Sequence, residues 1–149
     1  MSVTVFLSAS SPAATASEQW TYTRGDDGPK FGYSVPGNPN NFEFVYAICD
    51  PTTKVITFTV SVGPKRPAAG TASATFVSAA GKVALTGAVE AEDFEGIYYL
   101  SAAVPREHAV FQIIAGGPVQ FSNPAGTFTL MATGAKQVVS RFLAACRGR

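Results

Sequence analysis

Two cysteines and one tight group of carboxylates are the residues of this chain whose types and placement could amount to a site. Cys49 ends an aromatic run and Cys146 lies near the end of an amphipathic stretch, so the pair can meet only where two different elements pack together. Two such cysteines, without C-x-x-C spacing, read as one structural cross-link formed in an oxidising compartment rather than as a metal or redox centre. Glu90, Glu92, Asp93 and Glu95 crowd six consecutive positions around Phe94. Carboxylates at that density could ligate a cation or present an acid and a base to a glycan or peptide, the chemistry of a hydrolase. Their spacing lacks the alternating ligands and central glycine of a calcium loop, and a solvated loop between two strands explains them more simply, so no metal site is expected.

His108 is the only histidine. Any Ser-His-Asp or Cys-His device would have to use it, yet it stands beside Arg106 and Glu107 in a short helical pattern, where a capping or solvated role accounts for it. Glycine-rich dinucleotide loops, a P-loop, H-E-x-x-H and G-x-S-x-G are all missing from the sequence. No catalytic residue and no cofactor is therefore assigned. Aromatic side chains supply the remaining candidates: Trp20, Tyr22 and Tyr33 on short strands, and Tyr99 beside Tyr98. Exposed tyrosine and tryptophan anchor contacts well, so Trp20, Tyr22, Tyr33 and Tyr99 form the candidate binding surface, although core filling is the default explanation of the same rings because apolar bodies are usually buried. The loops at 37–41 and 63–67 could instead act as the blocking wedge of an inhibitor or immunity-type module.

Those side chains must be held by strands. Residues 42–50 (FEFVYAICD) alternate so that Phe42, Phe44, Tyr46 and Ile48 share one face, which puts Cys49 on the other beside Val45 and Ala47. After a turn at 51–54, Ile56, Phe58, Val60 and Val62 alternate with threonine and serine, the pattern of a sheet with one buried face. Further strands are expected over 71–77, 82–89 and 97–104, with a tight hairpin near Gly81. Two segments carry helical spacing instead. Residues 105–115 combine Pro105 at the first turn, Val110, Phe111 and Ile114 on one stripe, and a Gly116-Gly117 stop. In the C-terminal segment Ala135, Val138, Val139, Phe142 and Cys146 form one stripe, with Thr133 placed to cap it and Lys136, Gln137, Ser140 and Arg141 on the far side.

Of 149 residues, 46% are hydrophobic and 14% charged, which predicts one domain with a substantial core, covering 17–149. Eleven basic and ten acidic residues leave a net charge of +1, too little to draw in nucleic acid or an anionic membrane surface. No stretch approaches the ~20 apolar residues of a membrane span. Residues 1–16 read either as a signal peptide, cut after the small-x-small triplet Ala14-Thr15-Ala16, or as a disordered tail, since no basic residue precedes the brief apolar run.

The run 128–135 (FTLMATGA), followed by Val138, Phe142 and Cys146 and preceded by an aromatic strand ending in Cys49-Asp50, resembles a group of small exported proteins of Proteobacteria. Members include proteins of unknown function and periplasmic proteins described as invasion-associated or secretion-accessory. In that group a β-rich domain closes with a strand, a glycine turn and a helix ending in cysteine, and the resemblance spans roughly residues 20–147. It implies a periplasmic or secreted address and a disulfide, and it transfers no catalytic residue.

The expected architecture is a β-rich α+β domain: an antiparallel sheet or open sandwich of about eight strands, a short helix near 106–115 and a C-terminal helix near 134–146. That last helix is expected to dock through Val139 and Phe142 on the Val45, Ala47 and Cys49 face. The expected function is that of a non-enzymatic exported protein binding another protein or an envelope component. A hydrolase using the 90–95 carboxylates and an inhibitor or immunity-type module are the alternatives.

Overall fold

Alternation of apolar and hydroxylated residues is carried into space most plainly by β4 (Ile56–Gly63), where Ile56, Phe58, Val60 and Val62 are buried and Thr57, Thr59 and Ser61 face outward. The computed structural model describes residues 18–35, 38–89 and 96–147. Within them β1 (Gln19–Gly25), β2 (Gly28–Val35), β3 (Asn38–Cys49) and β4 form an antiparallel meander. A second set, β5 (Thr71–Ser78), β6 (Gly81–Val89) and β7 (Tyr98–Val104), joins it through β7 against β4. The hairpin β8 (Val119–Asn123) and β9 (Gly126–Leu130) then adds to the free side of β5. The result is one nine-stranded sheet in the order β1-β2-β3-β4-β7-β6-β5-β8-β9. The expected β-rich α+β class is therefore what the chain adopts, with nine strands where about eight were expected.

The sheet curls until its two ends meet. Trp20 N–H donates to the Thr133 carbonyl at 3.0 Å, and the Trp20 indole N–H donates to the Met131 carbonyl, also at 3.0 Å. Met131 N–H in turn donates to the Tyr33 hydroxyl at 2.8 Å. Curling of this kind satisfies edge groups that a flat sheet would leave open. A concave interior follows, filled by aromatic rings in two adjoining clusters. Phe31, Phe58, Phe111 and Phe142 make one, with ring centres 4.8 to 6.4 Å apart. Phe44, Phe76, Phe121 and Phe128 make the other.

Both helices contribute to the first cluster. Helix α1 (Ala109–Ala115) begins later than the 106–115 expectation, because His108 is its N-cap: Val110 N–H donates to His108 Nδ1 at 3.1 Å. Pro105 and Glu107 stay in the approach to the helix. Helix α2 (Ala135–Arg147) buries Ala135, Val139, Phe142 and Cys146, as the stripe predicted. It lies chiefly against β1, β2 and α1, not squarely on β3 as the 45, 47, 49 face suggested. Phe142 sits 4.8 Å from the Phe31 ring of β2, and the Cys49–Cys146 disulfide, with Cα atoms 5.7 Å apart, ties α2 to β3. Gly134 opens the helix at φ 80°, where a Cβ would come within 2.7 Å of the Trp20 carbonyl oxygen. At the other end Arg106 Nη1 donates to the Leu143 carbonyl at 2.9 Å, satisfying part of the helix C-terminus. None of the described helices is long and apolar enough to cross a membrane.

Candidate functional site

The four aromatic residues expected to form a contact surface do not lie together. Trp20 and Tyr33 are core residues, 2% and 0% exposed, which removes them from any surface. Closure of the sheet is the reason: strand parity alone left both faces open to them, and the seam buries the inner one. Tyr22 shares that inner parity and is partly covered by Arg141, whose guanidinium lies 4.5 Å above its ring. Tyr99 alone points outward, opposite Ser61 across the β4–β7 ladder.

A different set of aromatic residues occupies the outward face. Within β3, Phe44 adopts φ 67°, a left-handed conformation that a bulky residue takes only under constraint. That single residue crosses to the inner side, where its ring meets Phe128 at 4.8 Å and Phe121 at 5.6 Å. Phe42, Tyr46 and Ile48 stay outside, while Val45, Ala47 and Cys49 are buried. The expectation that Phe42, Phe44, Tyr46 and Ile48 share a face is thus corrected at Phe44. Phe42 and Tyr46 stack at 5.7 Å with their planes 25° apart. Both rest on Gly32 of β2, where a Cβ would approach each to 2.7 Å, so no side chain fits beneath the pair. Lys30 completes the strip, its Nζ 5.6 Å from the Tyr46 ring centre and 3.8 Å from the Asp27 carboxylate.

Beside the strip lies a shallow groove of about 410 Å³, lined by Asp27, Ile48, Asp50, Thr53, Val55 and Thr57. Val55 is 47% exposed, high for a β-branched apolar residue. Asp50 accepts hydrogen bonds from Thr53 N–H at 2.9 Å and Thr52 N–H at 2.8 Å, and these hold its carboxyl below the usual range. Asp50 is accordingly an anion at neutral pH and builds the turn that forms one wall of the groove. This face thus combines apolar ring faces, hydroxyl groups and carboxylates.

The Glu90, Glu92, Asp93 and Glu95 group lies outside the described residues, as do residues 1–16. Among the described residues no group of three or more His, Cys, Asp and Glu side chains could hold a metal ion. The 37–41 segment is not a free loop from residue 38 onward, because β3 begins there; residue 37 lies outside the described residues. In the 63–67 segment Gly63 closes β4 and is buried while Pro64, Lys65 and Arg66 are exposed, and Pro64 and Lys65 line a second hollow of about 320 Å³ with Val62, Pro124 and Ala125. The chain matches no known family model, and no curated protein or solved structure resembles it closely enough to register as similar. The outward strip was within reach of the sequence: a cysteine bonded to a buried helix stripe must face inward, which turns Phe42, Tyr46 and Ile48 outward.

Proposed function

We propose that this protein is a non-enzymatic, exported binding protein that engages another protein or an envelope component through the outward face of β2, β3 and β4. The observation that carries this reading is the stacked Phe42–Tyr46 pair seated on Gly32 and continued by Ile48 and the exposed Val55. Apolar rings kept on the outside of a sheet, with an open groove beside them, are the form that contact surfaces take. Lys30 and Asp27 supply polar edges that orient a partner. The disulfide supports an oxidising address, periplasmic or secreted. Nothing in the described geometry favours the hydrolase reading, whose carboxylates lie outside the described residues. The exposed Pro64, Lys65 and Arg66 keep the inhibitor reading as a second choice, distinguished by its different surface.

Capture from an envelope fraction tests the proposal. Wild-type protein is expected to retain a partner that the double variant Tyr46→Ser, Ile48→Ser loses, both proteins having the same melting temperature. Equal capture by the two would overturn the assignment of this face, and loss of capture in Lys65→Glu instead would move the site to the 63–67 loop.

A further inference from the structure

Strand β6 is paired along most of its length on one side only. Its positions from Gly81 to Ala88 match β5 from Ser78 back to Thr71 without a bulge, whereas β7 meets it at Ala88 and Val89 alone. Gly87 lets β7 cross closely at that junction, since a Cβ there would collide with the Ser101 carbonyl oxygen. Beyond it β7 stops at Val104, because Pro105 has no N–H and leads the chain away into α1. From Lys82 to Thr86, β6 is therefore an open edge within the strand order.

Alternation settles which backbone groups lie on that edge. Ser78 and Gly81 flank a two-residue turn, and Val89 N–H donates to the Gly70 carbonyl at 2.9 Å, so the odd-numbered residues from 81 to 89 bond toward β5. The N–H and C=O groups of Lys82, Ala84 and Thr86 consequently point away from β5, into the opening that β7 leaves. All three residues are exposed, while on the inner face Leu85 is buried and Val83 half-buried. Open edges invite another strand, and proteins guard them with lysines, prolines, bulges or inward charges. The stretch 82–86 (KVALT) has Lys82 at one end and none of the other guards. The terminal strands β1 and β9 are, by contrast, tied together through Trp20, Met131 and Thr133.

We propose that this edge pairs two copies of the chain: β6 lies antiparallel to the partner's β6 about a two-fold axis at Ala84, and the sheet continues from one molecule into the next. In that register Ala84 faces the partner's Ala84 and Lys82 faces the partner's Thr86, each pair exchanging both backbone bonds. Val83 faces the partner's Leu85 on the inner side. No like charges meet and the residues at the axis are small, so the segment is its own complement. The Phe42–Tyr46 strip is on a different part of the sheet, so this pairing stands whether or not that strip binds a partner. A dimer would present the strip twice and hold a repetitive partner more firmly.

The register makes the pairing testable by charge. In sedimentation equilibrium at low ionic strength, the full chain with its disulfide intact should rise in mass from one chain toward two as its concentration approaches about 1 mM, the range of a small interface. Thr86→Lys sets a lysine against the partner's Lys82 on both sides of the axis and should weaken association about tenfold. Adding Lys82→Glu to Thr86→Lys turns both contacts into opposite-charge pairs and should restore association to at least the wild-type level. Circular dichroism should be the same for all three proteins, because both positions are exposed. A wild type that stays monomeric throughout would overturn the proposal and leave the edge to a strand of another protein. Association of Thr86→Lys as strong as that of the wild type, or no recovery in the double variant, would overturn it as well.

Discussion

Phe44 sets the geometry of β3, since one residue in a left-handed conformation reverses the strand's facing for a single side chain. Such a conformation costs of the order of 1 to 3 kcal/mol, and the contacts of its ring with Phe121, Phe128 and Tyr33 offset it. Period-two reasoning has no means of finding this residue, because its identity fits an ordinary strand. Tyr33 is a second case in which the residue type was plain and its surroundings were not. Burial pushes its phenol up to about 12; the Met131 N–H acts against the shift and the Glu18 and Glu43 carboxyls add to it. The folded state thus retains this proton above the ordinary value of 10.0, so the stability it contributes is full below about 10 and lost as pH rises to about 12. In an alkaline titration followed by phenolate absorbance, one of the five tyrosines should ionise late, and Tyr33→Phe should remove that step.

Docking of α2 supplies the prediction that belongs to the elements. Phe142 is fully buried between Phe31 and Phe111, so Phe142→Ala should cost about 3 to 5 kcal/mol, read as a fall in denaturant midpoint. Ser140→Ala on the exposed side should stay within about 0.5 kcal/mol. The stripe of α2 was legible in the sequence because 3.6-residue spacing and strong amphipathicity agree there. Its neighbours were not legible, since a helix stripe states what is buried and is silent on which strands cover it. The start of α1 was missed because Pro105 imitates a first helical position, while the cap is the side chain of His108. Strand β8 was overlooked for its brevity, since only Val119 and Phe121 alternate in it, straight after Gly116, Gly117 and Pro118, whereas β9 was implied by the strand that precedes the glycine turn in the resemblance. The central strands were the most readable, because β4 pairs on both sides and its alternation is enforced by a core on one face.

At the scale of the molecule the disulfide joins β3 to α2 across 97 positions of chain. The chain-entropy account of such a loop gives about 4.7 kcal/mol, against about 5 to 15 kcal/mol for the stability of an ordinary domain. Reduction should lower the melting temperature sharply while leaving strand content intact below the new transition, as circular dichroism with and without reductant would show. Equal transitions would mean that packing of α2 alone suffices.

The strand order has one more consequence. The β1–β4 meander and the strands from β5 onward are joined covalently by the peptide chain between β4 and β5, which carries the exposed neighbours Lys65 and Arg66. Cys49 lies before that stretch and Cys146 after it. A tryptic cut between Lys65 and Arg66 should therefore leave a nicked molecule that keeps its shape, runs as one species in size exclusion, and parts into two fragments only when denatured and reduced. Each half would bring its own strands to the β4–β7 ladder, so the two fragments could be made separately, mixed and oxidised into a working whole.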